Sequence, residues 1–197
     1  MTEQARRLTD PDILKALTHP LRRRIYRLLS ERGPATVTLL NERVDADPGQ
    51  VSYHLRELAK RGFIEQAPEL ARDRRERWWR ATPGAFAWSV TDFTDPVGRA
   101  VADTAERLTA EEDFERLRLY QATREAWGAE WMGAASAGRS PIRLTPVELR
   151  EMCAEINEVV RRWYEDRRPD PRSRPEDRPQ DGRENVFFFY HAFPDNP

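Results

Sequence analysis

The stretch that decides the fold reads, from residue 47 to residue 58, Asp-Pro-Gly-Gln-Val-Ser-Tyr-His-Leu-Arg-Glu-Leu. Asp47 is a suitable helix cap, and Pro48 suits the first helical position because the amide that it lacks would have no partner there. Val51, Leu55 and Leu58 recur at three- and four-residue spacing, so they lie on one side of the helix. The sequence therefore predicts an amphipathic helix that begins at residue 48.

The opposite side of this helix is unusual for a solvated surface, because it carries a small residue, an aromatic ring and two cations. Glycine allows close approach, an aromatic ring can contact a thymine methyl group, and Arg can bind a guanine edge or a phosphate. The pattern predicts a helix that lies in a DNA major groove. The residues predicted to contact DNA from it are Pro48, Gly49, Gln50, Ser52, Tyr53, Arg56 and Lys60.

The neighbouring segments predict a helix-turn-helix followed by a β-hairpin. Residues 38–44 are typical of a short helix and residues 45–47 of a tight polar turn, which is the helix-turn-helix arrangement. Gly62 is a suitable helix stop, and residues 63–67 and 77–81 are predicted to be paired strands. A hairpin with a cationic tip behind a recognition helix is a wing. The wing residues predicted to contact DNA are Arg72, Arg74, Arg75 and Arg77.

Two further helices are predicted upstream, over residues 12–17 and 20–30. The segment from Leu14 to Leu29 resembles the opening helices of ArsR-type winged-helix transcription regulators. Residues 50–55, with Leu58, Gly62 and Ile64, resemble the recognition helix and wing entry of that family. The resemblance covers residues 10–82. It implies a homodimeric regulator of transcription that binds double-stranded DNA. We expect repression, and activation is the alternative that the sequence leaves open.

Length and charge divide the chain into two predicted domains. A chain of 197 residues can hold one large or two small domains. Residues 1–82, the predicted winged helix-turn-helix domain, carry a net charge of +5, whereas residues 83–197 carry −6. A cationic half can meet a phosphate backbone while an acidic half stays away from it.

The second half is predicted to be mainly helical and to dimerise. Residues 96–135 favour helix, with an interruption near Thr109, and residues 145–148 form a capping box that begins a helix running to about Glu165. This helix bears an apolar stripe that would form the dimer interface, unless it packs within one chain. The stripe consists of Leu149, Met152, Ile156, Val159 and Trp163.

The end of the chain is predicted to contain a loop and a strand. Residues 167–183 are rich in Pro, Arg, Asp and Ser and are predicted to form a mobile loop. Residues 185–193 are aromatic β-formers and are predicted to form a terminal β-strand; residues 86–90 are one candidate partner. The fold class is thus mainly α with a small β component: a winged helix-turn-helix domain, a helical C-terminal region and a terminal strand.

Metal binding and catalysis are disfavoured. The histidines at 19, 54 and 191 lack ligand spacing; His19 is expected to close a helix junction and His54 to pack half-buried. Cys153 is expected to serve as a small hydrophobe on the apolar stripe, rather than as a nucleophile. We therefore expect no metal, no cofactor and no enzymatic activity.

Three further expectations concern partners and location. The aromatic residues of the second half would line a pocket for an apolar or aromatic effector, or form a core with an interface: Trp88, Trp127, Trp131, Trp163 and residues 187–189. An alternative use of the winged helix is contact with a protein or RNA. Without a signal-peptide core or an apolar run of about 20 residues, the expected location is the cytoplasm, with no membrane contact.

Overall fold

The computed structural model describes residues 6–73, 75–84, 86–167, 173–177 and 181–195. The chain divides into two compact units. The first comprises Met1–Glu111 with Asp170–Asn185, and the second comprises Glu112–Pro169 with Val186–Pro197. The first unit therefore extends well beyond the predicted boundary at residue 82.

The first unit begins with short helices that confirm the predicted order of elements. The helices are α1 (Pro11–Leu14), α2 (Pro20–Arg32), α3 (Val37–Asn41) and α4 (Pro48–Lys60), with a 3-10 turn at Lys15–Thr18. Asp47 caps α4, because its Oδ1 accepts the amide of Gln50 at 3.0 Å. Gly62 has a φ of 76°, which a side chain would disfavour, and it lies at the predicted stop of α4.

A small antiparallel sheet follows α4. Strand β3 (Ile64–Gln66) pairs with β4 (Trp78–Ala81), and β4 also pairs with β2 (Ala35–Thr36), so the strand order is β2-β4-β3. Ile64 faces Ala81 and Ala35 faces Trp79 in the registers. The predicted hairpin is thus present, and the loop between its strands, residues 67–77, is called the hairpin loop below.

The sequence did not predict β1 (Arg6–Arg7), which pairs in parallel with β5 (Phe86–Ala87). Each strand has only two residues, too few to show a period. The sheet of β1 and β5 has two strands and residues 185–193 belong to no strand, so the suggested pairing of residues 86–90 with the end of the chain is wrong.

The main apolar core holds the first unit together. Each large side chain that it buries fully contributes roughly 1.5–3 kcal/mol. The largest are Leu14, Ile25, Leu29, Leu40, Val51, Leu55, Leu58, Phe63 and Ile64. Ala102 and Ala105 of α5 (Pro96–Thr123) belong to the same core, which explains why the unit extends to Glu111.

The second unit contains the rest of α5, α6 (Gly128–Ala134) and α7 (Pro146–Arg167). The interruption predicted near Thr109 is wrong: its hydroxyl donates to the carbonyl of Ala105 at 2.8 Å, and the helix continues to Thr123. A 3-10 turn at Arg124–Trp127 precedes Gly128, whose φ is 76°. The capping box of α7 is confirmed, since Glu148 accepts the amide of Thr145 at 2.7 Å.

The predicted strand over residues 185–193 is wrong, because these residues are assigned to no strand. Their side chains make contacts that need no strand ladder. Tyr190 donates its hydroxyl to Asn157 Oδ1 at 3.1 Å, and the Phe189 ring lies 6.0 Å from the Phe114 ring between centroids. Aromatic propensity alone had favoured a strand here, but a strand also needs a partner with free backbone groups.

The predicted mobile loop, residues 167–183, is only partly described. Arg167 is the last residue of α7, and Pro175–Asp177 form a 3-10 turn. Arg174 is buried, and its guanidinium lies over the Trp78 ring beside the hairpin loop, while the mobility of the segment stays a prediction. Residues 168–172 and 178–180 lie outside the described residues. Among the described helices, none is long and apolar enough to span a membrane.

Candidate nucleic-acid interface

The exposed face of α4 carries the predicted reading residues. Val51, Leu55 and Leu58 are completely buried, whereas Tyr53 on the other side is 53% exposed. The remaining predicted residues of this face are exposed, with Ser52 partly so: Pro48, Gly49, Gln50, Ser52, Arg56 and Lys60. The helix therefore rests on the core along one side and presents polar and cationic groups along the other.

Arg56 and Gly49 show how this surface is arranged. The Nε atom of Arg56 donates to the carbonyl of Ser52 at 3.2 Å, so the start of the side chain follows the helix toward its amino end. A Cβ on Gly49 would lie 3.1 Å from the capping oxygen of Asp47, which is a tight contact. Glycine at this position thus avoids crowding the capping carboxylate of Asp47 and leaves the surface at the start of α4 accessible.

The turn between α3 and α4 is fixed by side chains that donate to backbone carbonyls. Asn41 donates to the carbonyl of Ala46 at 2.9 Å, and Arg24 of α2 donates to the carbonyl of Arg43 at 2.5 Å. Such bonds satisfy carbonyls that a tight turn leaves without helical partners. They tie the turn that leads into α4 to α2 and α3.

Two histidines lie against each other: His54 on the buried side of α4 and His19 at the start of α2. The rings of His19 and His54 are 4.4 Å apart between centroids, and Nδ1 of each is buried without a hydrogen-bond partner in the structure. Burial lowers the pKa of both imidazoles, and the nearby Arg22 lowers each further. His19 lies at the predicted helix junction, between the 3-10 turn and α2, and His54 is more buried than expected.

This pair predicts that acid weakens the fold. A folded-state pKa below the ordinary value of 6.5 means that the unfolded chain takes up protons first, so stability present above about pH 6.5 is lost as the pH falls toward the folded pKa. We expect the urea midpoint to fall between about pH 7.5 and about pH 5.5. In His54→Phe the fall should be smaller, because one of the two imidazoles with a lowered pKa is gone. Equal pH dependence in wild type and His54→Phe would contradict the role of the pair.

The hairpin loop presents several arginines. Arg72, Arg75 and Arg77 are exposed, and Arg74 lies outside the described residues. Asp73 Oδ1 accepts the amides of Arg75 at 2.6 Å and of Glu76 at 3.2 Å, which builds the turn at the tip. The tip of the hairpin is thus a hydrogen-bonded turn that carries exposed arginines.

Not every arginine of the hairpin is available to a phosphate. Arg80 pairs with Glu65 at 2.7 Å and with Glu69, and these acceptors raise its pKa. Arg72 lies 3.3 Å from Glu176, a contact that the sequence did not predict. Arg75 and Arg77 are therefore the better candidates for backbone contact.

The predicted dimer residues lie on α7 in the second unit. Leu149, Met152 and Ile156 are partly exposed, Val159 is 47% exposed and Trp163 is 55% exposed. Across the described residues 112–167 and 186–195, none is buried. The described part of the second unit thus presents apolar side chains and contains no fully buried one.

Two features of the interface were missed by sequence reasoning. The tilted contact between the His19 and His54 rings joins residues of different elements, and no motif indicates it. Arg174 lies in a Pro- and Arg-rich segment with no periodicity, so nothing marked it as buried. Within the described ranges, no group of three or more His, Cys, Asp and Glu side chains could hold a metal ion.

Comparison with known proteins supports the same domain. Residues 17–67 match a family described as a helix-turn-helix domain, which supports a DNA-binding regulator. The match includes α2, α3 and α4 and ends before β4. It does not single out the ArsR type. No curated protein matches the chain.

Proposed function

We propose that the protein is a homodimeric transcriptional repressor that binds double-stranded DNA in a sequence-specific manner. One observation carries the proposal: α4 buries one face completely and exposes Gly49, Gln50, Tyr53 and Arg56 on the other, within a helix-turn-helix domain. A plain solvated helix has no need of this surface, whereas a helix in a major groove does.

In this proposal each part of the domain has its own contact. Helix α4 enters the major groove, where Arg56 binds a base edge and Tyr53 contacts a thymine methyl group. The hairpin loop lies on the flanking backbone, where Arg75 and Arg77 bind phosphates. Phosphate contacts fix the register and base contacts supply specificity.

Dimerisation is proposed for the second unit. An apolar helix face gains free energy when another surface covers it. In the described part of this unit no residue is fully buried, so the apolar side chains of α7 remain partly open to solvent. A second copy would cover the stripe on α7 across a two-fold axis. Two α4 helices that read a pseudo-palindromic site would lie about one DNA turn, ~34 Å, apart.

Two elements of the proposal derive from reasoning on the sequence. Repression is the expected action, and activation is the alternative that the sequence leaves open. An apolar or aromatic effector would suit the exposed rings of Trp127, Phe187 and Phe188, and it stays a prediction. We assign Cys153, which is partly buried on α7, no chemical role and propose no enzymatic activity.

The salt dependence of binding tests the proposal against the alternative of a protein or RNA partner. We expect binding to a DNA duplex to weaken steeply with salt, because each neutralised phosphate adds about 0.9 to the log–log slope. Arg75→Ala combined with Arg77→Ala should lower affinity for every duplex and flatten the slope by up to about two.

The matched control is Arg139→Ala combined with Arg143→Ala, which removes the same charge from exposed positions of the segment between α6 and α7. It should leave the slope within about half a unit of the wild type. If the two double variants behave alike, the hairpin loop does not contact DNA. Tight binding of RNA with none of DNA would replace the proposed function.

A further inference from the structure

The hairpin loop has a small apolar cluster of its own, separate from the main core. Ala67, Leu70 and Trp78 are buried in it, and Leu39 and Ala71 pack at its edge. So few side chains are a weak foundation for a loop that must hold several cations in place.

A residue from the far end of the chain completes this cluster. Arg174 is 7% exposed, and its guanidinium lies over the Trp78 ring, 4.7 Å from the centroid. One of its Nη atoms donates to the carbonyl of Leu70, the last residue of the 3-10 turn in the loop. The side chain therefore covers the apolar cluster and binds the backbone above it.

Two carboxylates pair with the buried guanidinium. Glu76 of the loop lies 3.4 Å from Arg174 and Glu176 lies 3.3 Å from it. A buried cation is costly without such partners, so this arrangement favours one geometry of the loop.

Glu76 also binds other groups of the hairpin loop and of β4. It accepts the amide of Arg72 at 2.9 Å and the indole N–H of Trp78 at 3.1 Å. These two bonds, and to a smaller extent Arg174, lower the pKa of Glu76, so it remains a carboxylate acceptor. Glu176 extends the same network to the Arg72 side chain at 3.3 Å.

From these contacts we infer that Arg174 is a positioning residue for the hairpin loop, which it holds in the conformation that presents Arg75 and Arg77 to DNA. The inference rests on the proposed function for its consequence, although the contact itself does not. Arg174 does not itself bind DNA, because its guanidinium is buried and engaged with Leu70, Glu76 and Glu176.

Limited trypsin digestion of the full-length protein tests the contact without DNA. In Arg174→Ala, cleavage after Arg72, Arg75 and Arg77 should become roughly tenfold faster, since a loosened loop opens more often. Arg174→Lys keeps the charge but loses the planar guanidinium over Trp78, so its cleavage rate should lie between those of the wild type and Arg174→Ala. Arg183→Ala is the control, because Arg183 is exposed and pairs with the nearby Asp181 at 3.0 Å.

Duplex binding tests the consequence. Arg174→Ala should lower affinity for all duplexes by about five- to twentyfold and flatten the salt slope by about one to two, whereas Arg183→Ala should change neither. Arg174→Lys should retain part of the affinity. Because it is the milder change, it replaces Arg174→Ala in both measurements if Arg174→Ala does not fold.

The two measurements separate the outcomes. Unchanged cleavage of the loop in Arg174→Ala and Arg174→Lys would overturn the inference whatever happens to DNA binding. Faster cleavage with unchanged affinity and slope would show that Arg174 holds a loop that does not contact DNA, and would also overturn it. If the wild type binds no DNA, the proposed function fails, and with it the positioning role, while the digestion still decides whether Arg174 holds the loop.

Discussion

Ile156→Asp is expected to convert the protein to a monomer and to reduce its affinity for a two-site operator by at least about 100-fold. Ile156 lies on the apolar stripe of α7 and is partly exposed in the single chain. Across a two-fold axis, a carboxylate there would be buried close to its own symmetry mate, at a cost of about 3–5 kcal/mol. A monomer loses the gain that comes from binding two half-sites at once. Sedimentation and duplex titration measure the two effects.

Ala154→Asp is the matched control, because it adds the same charge on the exposed side of α7, close to Glu158 and Arg161. This variant should remain a dimer with wild-type affinity for DNA. The first unit should stay folded in both variants, since its core side chains lie elsewhere. If Ile156→Asp unfolds entirely while the wild type is a monomer at micromolar concentration, the stripe packs within one chain and the proposed interface is wrong.

Arg56→Ala is expected to cost about 1–3 kcal/mol of binding to the specific site, which is a loss of roughly 5- to 150-fold. Arg56 is exposed at the middle of α4, where a guanidinium can form two hydrogen bonds to a guanine. Affinity for random duplexes should fall much less, because they offer no matching base. Titration of both DNAs under the same salt conditions measures the difference.

Arg56→Lys separates base reading from simple attraction to phosphate. Lysine keeps the charge but not the planar pair of donors, so binding to random duplexes should be retained while specificity falls. An equal loss on specific and random DNA in Arg56→Ala, restored by Arg56→Lys, would place Arg56 on a phosphate instead. Gln50 or Tyr53 would then be the residue that contacts the bases.

The helix-turn-helix could be predicted because each of its signals is local. Asp47 and Pro48 set the start of α4, and the spacing of Val51, Leu55 and Leu58 sets its buried face. The capping residue, the proline and the spacing of the apolar residues all indicate the same helix. A segment can be predicted from sequence when its local preferences agree in this way. The structure confirms the helix at the predicted residues.

The errors concern features that depend on distant partners. Residues 185–193 have strand propensity, but their side chains contact α5 and α7 and form no ladder. Ala102 and Ala105 extend the first unit beyond residue 82, because small residues allow a helix to approach the core closely. Local composition carries no information on which surface a helix or a tail will meet.

Arg174 illustrates the same limit within the candidate interface. Its partners Glu76 and Leu70 lie 98 and 104 residues away along the chain. A Pro- and Arg-rich segment is typical of mobile loops, and burial of one arginine in it follows only from the three-dimensional arrangement. The positioning of the hairpin loop could therefore not be predicted from its own sequence.

The most direct test of the central claim, that α4 reads DNA, is the selection of bound duplexes from a randomised pool by the wild type and by Arg56→Ala. The account predicts that the wild type enriches an inverted repeat whose half-site centres lie about 10 base pairs apart. Arg56→Ala should lose preference at one position in each half-site and keep it at the others. A pool that stays random with the wild type at low salt, or one whose enriched sequence is identical for both proteins, would contradict the account.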